Sequence, residues 1–444
     1  MAPPLAVRGG TVVTMDAART VALRDILIGP FGRIEAVVAP GPPAPGERTV
    51  DARGMVVVPG LVQSHVHLCQ TLFRGSCEDL PLLRWLRERT WPLEAAHDAT
   101  SLRASARLGI AELLLGGTTA ILDMGTVHHT DALFEVGEEM GIRYTGGKAM
   151  MDTGEGVPPG LLETTADSLR ESDRLAARWH GAAGGRLRYA YCPRFVLSAT
   201  RPLLVAVATR AGKDGILAHT HASEHRDEVQ AVQRMLGAPN IQALADLGLS
   251  GPHVCLAHCV WPEPPEVDLL AASGTSVAHC PSSNLKLSSG VAPVADYLEL
   301  GVTVALGADG SPANNRLDGW EELRLAALLA KLRNGADALP ARQAFELATL
   351  GGARALGLEH EIGSLEPGKQ ADLAVLDLRA PHAYGIEDVY TQLVFSARAS
   401  DVRTVIVAGR ILVADGALCD LDQPALLAEV RQQRAHLVTR AGIG

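Results

Sequence analysis

Two histidines, His65 and His67, are the residues that most clearly suggest a chemical role, and a single residue separates them. They follow an apolar run rich in β-branched residues, from residue 56 to residue 62, which predicts a buried strand. Side chains two apart on a strand point to the same face, so both imidazoles can reach one point at the end of that strand. This arrangement suits a borderline metal ion such as Zn²⁺.

Further polar residues stand at the ends of other apolar, strand-like runs, namely His221 with Glu224, His258, His279 and Asp309. If these strands are neighbours, their histidines and carboxylate converge into a sensible set of metal ligands, with one coordination position left for water. A metal lowers the pKa of such a water toward neutrality, and Glu224, three residues past His221, can then transfer protons. His219, two residues before His221, is interpreted as a supporting or structural residue.

The elements that position these residues follow a repeated pattern of strand, loop and helix between residues 58 and 362. Predicted helices at 100–115 and 321–332 are typical of the intervening segments. Such a repeat predicts an α/β protein built on a (β/α)₈ barrel, in which catalytic residues lie at the C-terminal ends of the strands. The predicted strands are 56–64, 118–124, 143–149, 186–192, 215–220, 253–257, 274–279 and 302–307.

The two ends of the chain have a different pattern, with short strands and turns. Each end is too short to hold a good core alone, so we expect residues 1–57 and 363–444 to pair into one small β domain beside the barrel. The final stretch, 423–441, has helical spacing. The predicted strands of the ends are 5–8, 11–15, 25–28, 33–38, 371–376, 402–407 and 410–413.

Composition excludes several classes of protein. The formal net charge is −10 with no long run of one sign, which argues against nucleic acid or anionic membranes as partners. Seven scattered cysteines indicate reduced, buried thiols and a cytoplasmic protein. The first residues lack a charged region followed by an apolar one, so no secretory leader is expected. No stretch is apolar for long enough to span a bilayer.

Each candidate residue also has a structural explanation. A single histidine at a strand end is more often a hydrogen-bonded structural residue than a ligand. Asp309 with Gly310 is compatible with a plain turn, and Glu224 lies in a charged stretch that is compatible with a solvated helix start. The joint pattern favours metal chemistry, because histidine or aspartate at the ends of five predicted barrel strands is improbable by chance.

At these residues the chain resembles the amidohydrolase superfamily, in its aminohydrolase branch of guanine deaminases, methylthioadenosine/S-adenosylhomocysteine deaminases and s-triazine hydrolases. The resemblance covers nearly the whole chain. It is carried by the segments 59–67, 116–119, 221–224, 256–259, 278–284, 306–310 and 363–372.

The resemblance implies a distorted (β/α)₈ TIM-like barrel, a β-sandwich built from both chain ends, and a divalent metal, most often Zn²⁺ with Fe²⁺ as the alternative. It implies that His65, His67, His221 and Asp309 bind the metal. It also assigns catalytic proton handling to Glu224 and His258, with Asp309 assisting.

A single metal is expected. Binuclear members of the superfamily bridge two ions with a lysine, or sometimes a glutamate, at the end of strand 4. Here residues 188–195 offer neither.

Residues for substrate binding are suggested by the same resemblance. Gln70 and Arg194 resemble the residues with which guanine deaminases hold the polar edge of a purine, whereas Glu94 falls where nucleoside deaminases carry a ribose-binding glutamate. An amide and a guanidinium supply both donors and acceptors, as a planar heterocycle demands. His279 is a further expected substrate contact. The structural alternatives are a surface salt bridge for Arg194 and a helix-cap or loop hydrogen bond for Gln70.

The sequence therefore predicts a metal-dependent hydrolytic deaminase of an aminopurine ring, either a 5′-modified adenosine nucleoside or guanine. Hydroxide formed at the metal would attack the amino-bearing carbon and ammonia would leave. The alternatives are an s-triazine amino- or chlorohydrolase, or a non-catalytic relative. The expected partner is a small heterocyclic substrate, and the chain is expected to form a homo-oligomer.

Overall fold

The structure, a computed structural model, describes residues 4–443. The first three residues of the N-terminal stretch, in which no secretory leader was expected, lie outside the described residues. The strands are β1 (Leu5–Val13), β2 (Val21–Ile28), β3 (Ile34–Val38), β4 (Arg48–Asp51), β5 (Val56–Pro59), β6 (Leu61–His67), β7 (Thr118–Met124), β8 (Arg143–Gly147), β9 (Ala149–Met150), β10 (Leu187–Pro193), β11 (Leu217–Ala222), β12 (Val254–His258), β13 (Ser276–His279), β14 (Val304–Leu306), β15 (Asp309–Gly310), β16 (Leu373–Leu376), β17 (Val402–Val407), β18 (Arg410–Ala414) and β19 (Ala417–Leu418).

The helices lie mostly between the barrel strands. They are α1 (Leu82–Trp85), α2 (Trp91–Ala95), α3 (Ala99–Leu115), α4 (Asp131–Met140), α5 (Thr165–Trp179), α6 (Ala182–Gly185), α7 (Arg201–Asp214), α8 (Arg226–Leu236), α9 (Asn240–Asp246), α10 (Pro264–Ser273), α11 (Pro281–Lys286), α12 (Val294–Glu299), α13 (Ser311–Asn314), α14 (Gly319–Asn334), α15 (Ala341–Glu346), α16 (Gly352–Ala355), α17 (Val389–Phe395) and α18 (Gln423–Ala441). Short 3₁₀ turns occupy Leu68–Phe73, Pro159–Leu161, Val196–Ser198 and Ala399–Asp401, and π-helical turns occupy Leu86–Thr90 and Leu347–Gly351. In the described residues, no helix combines the length and hydropathy needed to cross a membrane.

A closed parallel barrel forms the centre of the molecule. Within residues 4–443, eight strands pair side by side in the order β6, β7, β8, β10, β11, β12, β13 and β14, and β14 returns to β6. Because all of these strands run the same way, their C-terminal ends meet at one rim. The predicted (β/α)₈ barrel is confirmed, and the predicted barrel strands other than 56–64 lie within about two residues of the observed ones.

The prediction of a single strand at 56–64 was wrong. The run is two strands, β5 in the outer sheet and β6 in the barrel, separated by Gly60. A Cβ atom at Gly60 would lie 2.1 Å from the side chain of Thr119, so only glycine fits where the chain passes from one sheet to the other. The strands predicted at 5–8 and 11–15 are likewise one strand, β1, because a bulge between Val7 and Gly10 lets the pairing continue.

The two chain ends form one sheet, as expected. Its order is β19, β18, β17, β16, β5, β1, β2 and β3, with β4 beside β1. Alternation along β5 sends Val56 and Val58 into the main core and Val57 into a smaller core enclosed by the sheet itself. The sheet therefore anchors β6, and with it the His65–His67 pair, to both ends of the chain. The domain limits 1–57, 58–362 and 363–444 stay a prediction.

Candidate metal centre and active site

The polar residues predicted at the strand ends lie together at the C-terminal rim of the barrel. His65 and His67 end β6, His221 lies in β11, and His258 ends β12. Asp309 begins the short strand β15, which pairs with β6 beside them. All of these side chains are buried. Parallel strands, rather than proximity in sequence, have brought them to one point.

Their free nitrogen and oxygen atoms face one another. The Nε2 atoms of His65 and His67 each lie 3.3 Å from Oδ1 of Asp309. The Nε2 atoms of His67 and His221 lie 3.2 Å apart. One atom each from His65, His221, His258 and Asp309 also falls within 4.8 Å of the others. This donor set fits a divalent cation, because imidazole nitrogens and a carboxylate are its usual ligands.

Backbone carbonyls fix the tautomers of two of these rings. Nδ1 of His67 donates to the carbonyl of Met124 at 2.7 Å, and Nδ1 of His221 donates to the carbonyl of Arg194 at 2.7 Å. Each ring then carries no proton on Nε2, so the two close Nε2 atoms present lone pairs to each other. Two lone pairs at 3.2 Å repel unless a cation lies between them, which is the arrangement expected of metal ligands.

His65 is oriented through a second histidine. Nδ1 of His219 lies 2.9 Å from the carbonyl of Cys255 and must donate to it. The Nε2 atom of His219 is therefore an acceptor, and it receives the Nδ1 proton of His65 at 2.8 Å. That leaves Nε2 of His65 buried, unprotonated and without a hydrogen-bond partner in the described residues. The interpretation of His219 as a supporting residue agrees with these contacts.

Burial and neighbouring charges set the ionisation of the cluster. Burial lowers the pKa of His65 and His221, and lowers that of His67 to about 3, so these imidazoles are neutral. Burial raises the pKa of Asp309, whereas the neighbouring histidines in their protonated forms, His65 first, outweigh burial and bring that pKa well below its usual range. Neutral imidazoles beside an ionised carboxylate are the protonation states that bind a metal.

The backbone is strained at two of the site residues. His258 has a φ of 73° and Asp309 a φ of 60°, in the left-handed region that non-glycine residues rarely occupy. Asp309 is held there by two donors, the Ser283 hydroxyl at 2.5 Å and the Gly310 amide at 2.7 Å. These contacts aim the carboxylate at the histidines.

Glu224 and His258 face each other beside the metal-binding cluster. Oε2 of Glu224 lies 3.6 Å from Nε2 of His258. Nδ1 of His258 donates to Oδ1 of Asn284 at 2.9 Å, which leaves its Nε2 facing the cavity. Burial, and next the charge of Asp309, raise the pKa of Glu224 well above its usual range. A carboxyl that holds its proton near neutral pH is suited to general acid and base work.

Sequence reasoning missed the residues that hold Glu224 and His258. Glu228, in the charged stretch that follows Glu224, had been given no role, yet it is fully buried. Its Oε2 accepts from the backbone amide of Glu224 at 2.7 Å, and its Oε1 accepts from Asn240 at 2.8 Å. The position of Glu228 in the first turn of α8, four residues after Glu224, was the available signal, because an acid there can cap backbone amides. Asn284 belonged to a recognised motif but had been given no role.

The residues predicted for substrate binding form one hydrogen-bonded group. The Gln70 amide donates to Oε1 of Glu94 at 2.7 Å. Arg194 donates to both oxygens of Glu94, at 2.5 Å and 3.1 Å. Oε1 of Gln70 is buried and has no partner in the described residues. The surface salt bridge that was the alternative for Arg194 is excluded, since Arg194 and Glu94 are both buried.

A small cavity joins the two groups of residues. It is lined by His67, Gln70, Leu82, Trp85, Leu86, Arg194, Phe195, His221, Glu224, His258, Leu287 and Asp309. Glu94 lies behind Gln70 and Arg194. His279 is buried but is not among the lining residues, so its contact with substrate stays a prediction.

Comparison with known proteins agrees with this architecture. The model of the Amidohydrolase family matches residues 56–412, more than half of the chain. The chain is 40% identical to the 5-methylthioadenosine/S-adenosylhomocysteine deaminase of Halobacterium salinarum, with all of both chains covered. It is 40% identical to the 5′-deoxyadenosine deaminase of Methanothermobacter thermautotrophicus, over 89% of this chain and 90% of that one.

A solved structure extends the likeness to the coordinates. An adenosine deaminase from Xanthomonas campestris with bound zinc superposes with a TM-score of 0.91 at 33% identity, covering 98% of each chain. Family, relatives and fold agree with the cluster of histidines and aspartate at the barrel rim, which is a site for a divalent metal. The protein therefore belongs to the amidohydrolase family and is a hydrolytic deaminase.

Proposed function

We propose that the protein hydrolyses the amino group from the six-membered ring of an aminopurine, and that its substrate is a 5′-modified adenosine nucleoside. The observation that carries the reaction is the placement of Glu224 and His258 beside the metal-binding cluster, on the same cavity. The two relatives at 40% identity, both deaminases of 5′-modified adenosines by name, support the choice of substrate.

One divalent ion, Zn²⁺ first and Fe²⁺ as the alternative, is proposed to bind His65, His67, His221 and Asp309. The geometry admits His258 as a further ligand, since it falls within the same group of atoms. Of these two histidines we choose His67 as the metal ligand, because its Nε2 lies 3.2–3.3 Å from two other proposed ligands. Nε2 of His258 instead faces Glu224. The ion would supply a water of lowered pKa as the nucleophile.

The protein's own groups would move the protons. Glu224 is proposed to protonate the ring nitrogen next to the amino-bearing carbon, since its raised pKa keeps a proton available. His258, fixed by Asn284, would orient the attacking water and stabilise charge at the reacting carbon. Asp309 would assist by accepting a proton from that water.

Gln70 and Arg194 are proposed to hold the polar edge of the ring, with Glu94 holding both of them. Oε1 of Gln70 is a free acceptor on the cavity wall, and Arg194 keeps N–H groups beyond those that bind Glu94. This free acceptor beside a free donor favours a second candidate, guanine, whose ring edge presents a donor and an acceptor together. Glu94 itself is already occupied by Arg194 and Gln70, which speaks against a ribose contact unless the group rearranges.

The test is ammonia release by the zinc-loaded protein from 5′-deoxyadenosine, 5′-methylthioadenosine, S-adenosylhomocysteine, guanine and an amino-s-triazine. We expect kcat/KM for a 5′-modified adenosine to exceed that for guanine at least about ten-fold, a difference of about 1.4 kcal/mol in transition-state binding. A preference for guanine would move the second candidate ahead. Turnover of the triazine alone would overturn the assignment to purines.

A further inference from the structure

The last helix of the chain, α18, packs on the segment that covers the catalytic cavity. It contacts α2, α3 and the 3₁₀ turn that follows His67. We call residues 77–95 the roof, because Leu82, Trp85 and Leu86 of this segment line the cavity. The roof is built from short helical turns, including a π-helical one, and not from barrel strands.

The beginning of the roof is tied to α18 by Arg434. Its Nε donates to the carbonyl of Leu72 at 3.2 Å, and its Nη2 donates to the hydroxyl of Ser76 at 3.0 Å. Ser76 lies immediately before the roof, and Leu72 lies between it and the predicted metal ligand His67. One guanidinium therefore holds two points of the chain at this end.

The end of the roof is tied to the same helix by Arg440. Its Nε donates to the carbonyl of Ala96 at 2.8 Å, and its Nη2 donates to the hydroxyl of Ser101 at 3.1 Å. Its Nη1 also lies 3.0 Å from the carboxylate of Asp98, which caps α3. The arrangement mirrors that of Arg434 at the opposite end of the roof.

Between the two arginines lies a fully buried leucine, Leu437. Leu437 is 0% exposed and belongs to the same apolar cluster as Leu82, Trp85 and Leu86. Residues 434, 437 and 440 are spaced by three, which places them on one face of the helix. One face of α18 thus presents a tie, an apolar anchor and a second tie to the roof.

We infer that α18 sets the position of the roof, and that Arg434 and Arg440 are positioning residues for substrate affinity. Neither arginine touches the cavity, so they act through the roof residues that do. The inference rests on the proposed function only in so far as the roof covers the site of that reaction. Loss of the ties would let the roof move away from the substrate and leave the metal-binding strands in place.

The experiment compares the double variant Arg434→Ala/Arg440→Ala with wild type and with Arg431→Ala. Arg431 is an exposed arginine of the same helix, with no hydrogen bond or ion pair in the described residues. For the double variant we expect KM to rise roughly five- to thirty-fold, because a few weak hydrogen bonds are lost. The kcat should stay within about two-fold of wild type, and the zinc content should not change. Lysines at both positions should restore part of the affinity, because each supplies a charge but not a fork.

Limited proteolysis provides a readout that needs no substrate. Arg84 and Arg87 are exposed roof residues and therefore trypsin sites. We expect the double variant to be nicked there roughly ten times faster than wild type or Arg431→Ala, with the same thermal transition. Wild-type KM together with wild-type nicking would overturn the inference. If the protein turns over no aminopurine at all, the nicking rate still tests the inference about the roof. Failure of this inference can therefore be distinguished from failure of the proposed function.

If the double variant does not fold, the single variants replace it. Faster nicking at Arg84 and Arg87 in Arg434→Ala and in Arg440→Ala, with zinc retained, would support the inference. Single variants that behave like Arg431→Ala would overturn it.

Discussion

The two ends of the catalytic cavity are held in different ways. At the metal end, backbone carbonyls of neighbouring strands fix the rings of His67 and His221. At the substrate end, side chains from separate segments fix one another, as in the group of Gln70, Glu94 and Arg194. A strand backbone holds its place through the whole barrel, whereas a side-chain group depends on every one of its members. The rings of His67 and His221 are therefore less sensitive to substitution of neighbouring side chains than the group of Gln70, Glu94 and Arg194.

Removing a ligand at the metal end should have the largest effect. We expect His67→Ala to lose the tightly bound metal and to reduce activity to background, because one of four predicted ligands is gone. Elemental analysis of the purified protein, with activity measured after zinc reconstitution, checks this. His360→Ala, which removes a histidine that is largely exposed, serves as the control and should behave like wild type. Full zinc occupancy in His67→Ala would transfer the ligand role to His258.

Glu224→Gln should separate proton transfer from metal binding. We expect zinc to be retained while kcat falls roughly 10²- to 10⁴-fold, the usual contribution of a positioned acid–base group. The matched control is Asp227→Asn, which changes an exposed carboxylate nearby. Steady-state kinetics with metal analysis makes the measurement. Near-normal turnover would show that another group carries the proton.

Arg194→Ala should reveal the dependence of the substrate end on its side-chain partners. We expect kcat/KM to fall roughly ten- to a hundred-fold with the metal retained. The free energy of unfolding should also drop by roughly 3–5 kcal/mol, because Glu94 is left as a buried, unpaired charge. Lysine at this position should rescue only part of either loss, since it cannot reproduce the two bonds to Glu94.

Double-mutant analysis with Glu94→Gln sharpens this test. Removing the charge of Glu94 should recover much of the stability lost in Arg194→Ala, but not the kcat/KM. Denaturant unfolding and kinetics on the same samples would separate the two effects. Additive losses of stability would contradict the view that the pair is held by mutual contact.

The smallest expected effect is a change in the pH dependence of stability on substitution of Glu322, a buried residue next to the metal end of the cavity. It accepts from the amide of Ser282 at 3.1 Å and from Asn314 at 2.8 Å, and burial raises its pKa from 4.5 to about 7. The folded state thus binds this proton more tightly than the unfolded state. The stability of wild type relative to Glu322→Gln should therefore fall as pH rises from 4.5 to about 7, by at most roughly 3 kcal/mol, and stay level above that.

Denaturant unfolding of both proteins at pH 5 and pH 8 checks this prediction. The change with pH is the readout, because glutamine also alters the hydrogen bonds and shifts the stability at every pH. A difference between the two proteins that does not vary with pH would mean that Glu322 stays ionised in the fold.

The same contrast explains what could be predicted from the sequence. His65, His67, His221, His258 and Asp309 were found because period-two strands in a parallel barrel bring their ends to one rim. That rule needs no knowledge of side-chain contacts. The same sequence periodicity placed most of the predicted barrel strands within about two residues of the observed ones.

What escaped prediction depends on contacts between distant segments. The burial of Glu228 was missed because a charged run at a helix start has the same sequence pattern whether it is solvated or enclosed. The pairing of Glu94 with Arg194 joins residues one hundred positions apart. The break at Gly60 was hidden because apolar strands on both sides form one continuous run.

The pairing of β5 with β16 has a consequence for synthesis. Pro59 lies opposite Leu373, so the strand that leads into the proposed metal ligands meets its partner only after more than three hundred further residues have been made. At roughly 5–20 residues per second, that wait lasts on the order of 15–60 s. Throughout it, one edge of an apolar strand is unpaired and open to other nascent chains. Expression yield should therefore depend strongly on temperature and on chaperone supply, even for variants whose finished fold is as stable as wild type.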